Sequence, residues 1–90
     1  MIERVQFSRR ASKDMERIDR KSRERIRRAL EGLVAVPPRR NLDVRPLTGH
    51  APWLRLRVGT MRVIFRPIEV VYLVEHVIDR RDLDEALRAL

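Results

Sequence analysis

Hydrophobic and polar residues alternate in the stretch WLRLRVGTMRVIFR, residues 53–66, on both sides of a Gly-Thr pair. Alternation with a period of two is typical of β-strands, and a glycine at the first central position suits a two-residue type II′ hairpin turn. A turn at Gly59-Thr60 fixes the pairing of the two strands, and paired side chains point to the same side of a sheet. The stretch therefore predicts a hairpin with two chemically different sides.

One side of this predicted hairpin is entirely apolar, and we expect it to face the protein core. The other side carries Ile64, the single tryptophan and four arginines: Trp53, Arg55, Arg57, Arg62 and Arg66. Arg57 and Arg62 stand directly opposite each other, and like charges in that position are destabilising. Two interpretations follow for the charged side.

The first interpretation is a solvated surface, on which the arginines lie over apolar neighbours and meet Glu69 or Glu75. The second is a surface that holds a polyanion in the concentrated positive field. Guanidinium groups match the geometry of phosphate, and an exposed Trp53 offers a base a stacking surface. The number of arginines on one side favours phosphate binding.

The segments before the hairpin predict one strand and two helices. Residues 2–7 alternate and favour a strand, and Ser8 is suited to cap a helix that continues to about Asp19. Residues 21–36 repeat the helical spacing, and Pro37-Pro38 cannot continue a helix. These two helices are expected to form a helical hairpin.

The remaining segments predict a loop, a strand and a final helix. Residues 37–52 are rich in proline and contain only a short extended candidate at 44–47. After a turn at Pro67-Ile68, the apolar run of residues 69–78 indicates a strand covered on both faces. A bulge near that turn could reverse the strand, so the facing of Glu75 and His76 stays open. Residues 79–90 return to helical spacing.

Together these elements predict an α+β fold in the order β-α-α-β-β-β-α. The sheet is expected to be mainly antiparallel, with the N-terminal helical hairpin packed on one face and a short C-terminal helix. A length of 90 residues suits a single domain over residues 1–90.

Composition points to an anionic partner. The net charge is +8, and all of the 21 basic residues except Lys13 and Lys21 are arginine. Such a charge favours nucleic acid over an acidic protein or a membrane surface. The chain has no cysteine and only two histidines, so we expect no metal and no cofactor. No apolar run approaches the roughly 20 residues of a membrane span, and no signal peptide is evident, which predicts a cytoplasmic protein.

Two longer strings, LTGHAPWLRLRVGTMRVIF and EVVYLVEHVIDRRDL, resemble the RelE/ParE superfamily of bacterial toxins from toxin-antitoxin pairs. The upstream FSRRASKDM is similar to the first strand and helix of that superfamily, so the resemblance covers nearly the whole chain. It implies a RelE-like, metal-independent endonuclease that cuts messenger RNA on the ribosome through attack of a ribose 2′-OH on the adjacent phosphate. The alternative is a ParE-like toxin that inhibits DNA gyrase by binding and cleaves nothing.

The resemblance also implies roles for basic residues. Arg55 falls where family members have a catalytic lysine or arginine, Arg62 at the phosphate-stabilising arginine, and Arg80 at the basic residue after the last strand. Arg57 and Arg81 match positions suited to flanking phosphates. With Trp53 and Arg66 from the hairpin, they complete the expected RNA-binding set.

One position departs from the superfamily pattern. Many ribosome-dependent members have a tyrosine where this chain has Asp84, and the only tyrosine, Tyr72, is expected in the core. Glu75, His76 and Asp84 remain as candidates for proton transfer, although an aspartate at a helix start often serves the helix dipole. The absent tyrosine favours the gyrase inhibitor, and the arginine-rich side favours the nuclease. Both alternatives imply an acidic antitoxin, with ribosome and messenger RNA or gyrase as the target.

Overall fold

The computed structural model describes residues 2–90 as an α+β fold. The elements are β1 (Arg4–Phe7), α1 (Arg9–Arg17), α2 (Arg20–Val34), β2 (Asp43–Pro46), β3 (Leu54–Val58), β4 (Met61–Ile68), β5 (Val71–Asp79), a 3-10 turn (Arg80–Asp82) and α3 (Leu83–Arg88). The fold class, the helical hairpin and the C-terminal helix predicted from the sequence are confirmed. The structure adds β2, which overlaps the short extended candidate at residues 44–47.

The five strands form one sheet in the order β1-β5-β4-β3-β2. β1 is parallel to β5, and the other neighbouring strands are antiparallel. This agrees with the predicted mainly antiparallel sheet. β1 pairs only with residues 71–74, so within residues 2–90 the second half of β5 has no strand on its outer edge. There Oδ2 of Asp14 in α1 accepts a hydrogen bond of 3.0 Å from the backbone N of Val77. A side chain of α1 thus satisfies a donor on the open edge of the sheet.

The first two helices, α1 and α2, begin at polar side-chain caps. Oγ of Ser8 accepts from the backbone N of Ala11 at 3.1 Å, which confirms the predicted cap of α1. Oδ2 of Asp19 accepts from the backbone N of Ser22 at 3.0 Å and caps α2. Among residues 2–90, no helix has the length and apolar character that a membrane span needs.

The core lies between the helical hairpin and one face of the sheet, which we call the helix side. It contains Ala11, Ile26, Ala29 and Leu30 from the helices and Leu56, Val63, Phe65, Val74 and Val77 from the strands. The ring of Phe65 meets Tyr72 edge-on, with centroids 5.0 Å apart, so Tyr72 belongs to this core as predicted. The opposite face of the sheet is the arginine side.

The register of the β3–β4 hairpin agrees with the prediction from the Gly59 turn. Leu56 pairs with Val63, and Arg57 pairs with Arg62. Gly59 adopts a φ of 59°, the positive value that the first central position of a type II′ turn requires. The apolar residues of the paired strands other than Ile64 therefore lie on the helix side, and the arginines lie with Ile64 on the arginine side.

The β4–β5 connection differs from the prediction in two respects. The turn is at residues 69–70 rather than at Pro67-Ile68, and it keeps the same parity, so Tyr72 and Val74 still lie on the helix side. A bulge between Ile64 and Phe65 then shifts the register by one residue. Because side chains alternate, this shift pairs His76 with Ile64 and places it on the arginine side.

Candidate functional site

Arg62, the second residue of β4, lies on the arginine side next to the hairpin turn and is nearly buried, with 9% of its surface exposed. Its Nη1 donates to the carbonyl oxygens of Gly59 at 2.9 Å and of Met61 at 3.0 Å. Both acceptors belong to the hairpin turn and its first following residue. The turn that fixes the register therefore also fixes the guanidinium of Arg62.

The pKa of Arg62 lies below its ordinary value, chiefly because the side chain is buried. The positive charges of Arg57, Arg55 and Arg80 lower it further, and Asp43 partly opposes them. An arginine nonetheless keeps its proton in a protein. These four guanidiniums, of Arg55, Arg57, Arg62 and Arg80, are called the arginine cluster below.

One carboxylate, that of Asp43, accompanies the arginine cluster. Nη2 of Arg55 donates to Oδ1 of Asp43 at 3.3 Å, and Nε of Arg45 lies 3.7 Å from the same oxygen. The solvated-surface interpretation named Glu69 or Glu75 as partners of the arginines, but within residues 2–90 the ion pairs of Arg45 and Arg55 are with Asp43, which β2 brings opposite Arg57. The sequence signal for this contact was the short extended candidate at residues 44–47, next to Asp43. No local pattern specified which strand that segment would pair with.

Arg80 and Arg81 follow β5 directly, but they lie in different surroundings. The backbone N of Arg80 donates to the carbonyl of Thr60 at 2.8 Å, which holds the end of β5 against the hairpin turn. Nε of Arg81 instead donates to Oδ1 of Asp79 at 3.0 Å, and its side chain is 84% exposed. Hydrogen bonds from Arg81 also lower the pKa of Asp79. Arg80 therefore joins the cluster, and Arg81 pairs with Asp79 beside it.

Trp53 and Arg66 lie together at the end of the hairpin opposite its turn. The guanidinium carbon of Arg66 is 5.2 Å from the centroid of the Trp53 ring, a distance at which a cation and an aromatic face attract each other. Nε of Arg66 is buried and has no hydrogen-bond partner within residues 2–90. The aromatic ring and the guanidinium form one stacked unit on the arginine side.

The candidates for proton transfer lie apart from the arginine cluster. His76 is 4% exposed and lines a cavity of about 620 Å³ bounded by residues of α1, β5 and α3. Burial and then Arg10 lower its pKa, so the ring is neutral at neutral pH, although Glu75 and Asp14 oppose the shift. Glu75 lines a separate cavity beside α1, and Asp84 is exposed in the first turn of α3. None of the three candidates is among the groups with the largest effects on the pKa of Arg62.

The arrangement is thus suited to holding phosphate oxygens, with several fixed guanidiniums and one carboxylate. Residues 5–84 match the family model described as the ParE toxin of the type II toxin-antitoxin system parDE. The comparison with curated proteins found no match.

Two solved structures have the same fold. The RelB-RelE antitoxin-toxin complex from Methanococcus jannaschii matches with a TM-score of 0.76 at 20% identity, over 89% of this chain and 95% of that one. The archaeal RelE-RelB complex from Pyrococcus horikoshii OT3 matches with a TM-score of 0.71 at 25% identity, over 89% of this chain and 97% of that one. Since the family model spans almost all of the described sheet and helices, the chain belongs to the ParE toxin family of type II toxin-antitoxin systems, within the RelE/ParE superfamily.

Proposed function

We propose that this toxin is a RelE-like, ribosome-dependent endonuclease of messenger RNA, in which the arginine cluster binds the phosphate at the cleavage point. The observation that supports this is the nearly buried Arg62, which stands opposite Arg57 and whose pKa is lowered by the positive charges of Arg57, Arg55 and Arg80. Like charges held this close destabilise a fold, and a bound phosphate relieves the repulsion.

In the proposed reaction the ribose 2′-oxygen attacks the adjacent phosphorus while the bond from phosphorus to the 5′-oxygen breaks. The products are a 2′,3′-cyclic phosphate and a free 5′-hydroxyl; the 2′-OH gives up one proton and the 5′-oxygen gains one. Arg62 and Arg55 stabilise the negative charge that develops on the non-bridging oxygens. Arg57, Arg80 and Arg81 bind flanking phosphates, and Trp53 stacked with Arg66 supports a base.

Proton transfer is assigned to water. His76 is neutral and buried in another cavity, and neither Glu75 nor Asp84 is among the groups with the largest effects on the pKa of Arg62. The contribution of this chain is therefore electrostatic stabilisation and positioning, which are large effects in phosphate chemistry even without a protein acid or base.

A second candidate is ParE-like inhibition of DNA gyrase by binding. The matching family model is that of ParE, and the separation of His76 from the arginine cluster suits a protein that binds without catalysis. In this candidate the arginine cluster contacts an anionic surface of the gyrase–DNA complex.

Both candidates include an antitoxin. The similar solved structures are antitoxin–toxin complexes, and a net charge of +8 suits an acidic partner. We expect the chain expressed alone to arrest bacterial growth and a co-encoded acidic protein to restore it. Continued growth with abundant folded protein would contradict a toxin.

The test applies purified protein to a translation reaction with primer-extension mapping and, separately, to a gyrase supercoiling assay. We expect cleavage within translated messages, reduced about 100- to 1,000-fold by Arg62→Gln because one charge-stabilising donor is lost. Arg4→Gln removes the same charge from β1, the edge strand farthest from β2, and is the matched control. Circular dichroism establishes that the variants are folded. Intact message with blocked supercoiling would reject the nuclease in favour of the second candidate.

A further inference from the structure

A second basic cavity lies next to the hairpin turn, on the side towards α2. It has a volume of about 320 Å³ and is lined by residues of α2, the following loop and the ends of β2 and β3. Its charged lining consists of four arginines and one carboxylate: Arg25, Arg28, Arg39, Arg57 and Asp43. Of these five residues, only Arg57 and Asp43 were described above as part of the arginine side or its carboxylate.

Arg39 is fixed against α2 through both its backbone and its side chain. Its backbone N donates to the carbonyl of Gly32 at 3.0 Å. A Cβ built on Gly32 would lie 2.6 Å from Cδ of Arg39, closer than real Cβ atoms approach, so the absence of a side chain at Gly32 lets the arginine stem pack there. The guanidinium of Arg39 therefore reaches the cavity on an ordered stem, which lowers the entropy lost on binding.

Arg25 lies against the hairpin turn. A Cβ built on Gly59 would lie 3.1 Å from its Nη1 and 3.3 Å from its Nη2. The carbonyl of the same Gly59 accepts from Arg62. The turn thus lies between the guanidinium of Arg25 and that of Arg62, and it joins the second cavity to the arginine cluster.

Little negative charge is available to neutralise this cavity. Within residues 2–90, Arg28 is the only one of its four arginines with an ion pair, a long contact of 3.7 Å to Glu24. Asp43 is already engaged by Arg55 and Arg45. Three arginines, Arg25, Arg39 and Arg57, line one cavity and have no ion pair within residues 2–90, which is the arrangement of an anion site.

We infer that this cavity binds a phosphate group, and that in the working toxin this is a backbone phosphate of the nucleic-acid strand whose neighbouring phosphate lies on the arginine cluster. Arg57 lines the cavity and also acts on Arg62, so one strand can pass from one site to the other around the turn. The identity of the strand rests on the proposed function, whereas the binding of phosphate by the cavity does not.

The first experiment measures phosphate binding by the free protein. Inorganic phosphate is titrated into ¹⁵N-labelled protein while the arginine Nε–H signals are followed by NMR. We expect saturable shifts at Arg39 and Arg25 that disappear at Arg25 in Arg39→Gln and persist in Arg4→Gln. Uniform, non-saturating shifts over all exposed arginines would overturn the inference.

The second experiment measures the affinity for a short single-stranded RNA as a function of salt concentration. Losing one phosphate contact lowers the slope of log affinity against log salt by about 0.7. We expect this decrease and a several-fold loss of affinity for Arg39→Gln, with a smaller change for Arg4→Gln. Gly32→Ala is the second variant: it keeps every charge but displaces the stem of Arg39, and we expect it to weaken RNA binding in the same direction.

The outcomes of these experiments distinguish a failure of the cavity proposal from a failure of the proposed nuclease. Phosphate binding at Arg39 by a protein that cleaves no message would retain the cavity and reject the nuclease. Unchanged RNA affinity and salt slope in both Arg39→Gln and Gly32→Ala, with cleavage intact, would reject the cavity and retain the nuclease. Saturable binding of an acidic peptide at Arg39 without binding of phosphate or RNA would also overturn the inference.

Discussion

The two sides of the β3–β4 hairpin are built on opposite physical principles, although their side chains alternate along the same two strands. On the helix side, Leu56, Val63 and Phe65 have no exposed surface and pack into the core. On the arginine side, Arg57 stands opposite Arg62, whose charge is kept despite burial and positive neighbours. Burial on one side stabilises the hairpin, and repulsion on the other destabilises it. The difference teaches that this domain separates stability from anion binding across a single pair of strands.

The largest effect on stability is expected on the helix side, from Phe65→Ala. Phe65 is fully buried and contacts Tyr72 edge-on. Removing its ring leaves a cavity and should lower the free energy of unfolding by about 3–5 kcal/mol, measured by urea denaturation. Val36→Ala, at a side chain that is 76% exposed, should change it by less than about 0.5 kcal/mol. Equal losses in the two variants would remove the basis of the comparison.

A smaller effect is expected at His76, where the arginine side has lost a charge rather than kept it. Burial and Arg10 lower the pKa of His76, so the unfolded chain binds the proton more readily than the folded one. Stability should be unaffected by this group above about pH 6.5 and should fall as the pH drops below it, by at most about 1.4 kcal/mol per pH unit. Thermal denaturation between pH 7.5 and 5 measures the slope, and His76→Gln should flatten it. An identical slope in the variant would assign the loss to other groups.

The smallest effect, and the only one of opposite sign, is expected for Arg57→Gln. Arg57 is exposed, and its charge opposes that of Arg62. Removing it should raise the free energy of unfolding by about 0.2–1 kcal/mol at low salt, because a like-charge cross-strand pair is lost, and the gain should shrink as salt screens the charges. RNA affinity should fall at the same time. A destabilised Arg57→Gln would show that this side contributes to the stability of the fold.

How far the sequence predicts this molecule depends on how local each determinant is. The hairpin register follows from two adjacent residues, Gly59 and Thr60, and the structure confirms it because that turn chemistry is specific. The cap at Ser8 is local in the same sense. The prediction of a turn at Pro67-Ile68 was wrong, because both residues belong to the end of β4 and the chain turns at residues 69–70.

Contacts between distant segments are what the sequence did not predict. The bulge that turns His76 to the arginine side lies inside a nearly continuous apolar run, which has no alternation to mark a shift. The pairing of Asp43 with Arg55 depends on β2 as an edge strand, and the packing of Arg39 on Gly32 depends on how the loop folds back on α2. The arginines of the candidate site were therefore predictable, and the carboxylate and second cavity beside them were not.

The stacking of Arg66 on Trp53 gives the protein a built-in optical reporter. The chain contains a single tryptophan, so all of its indole emission originates at the end of the hairpin, on the arginine side. A cation close to the ring sets the local electric field, and an anion that draws the guanidinium away changes that field. Ligand binding on this side can accordingly be followed by the intrinsic fluorescence of the unlabelled protein. The cavity around His76 is not lined by tryptophan, so binding confined to that cavity has no such reporter beside it.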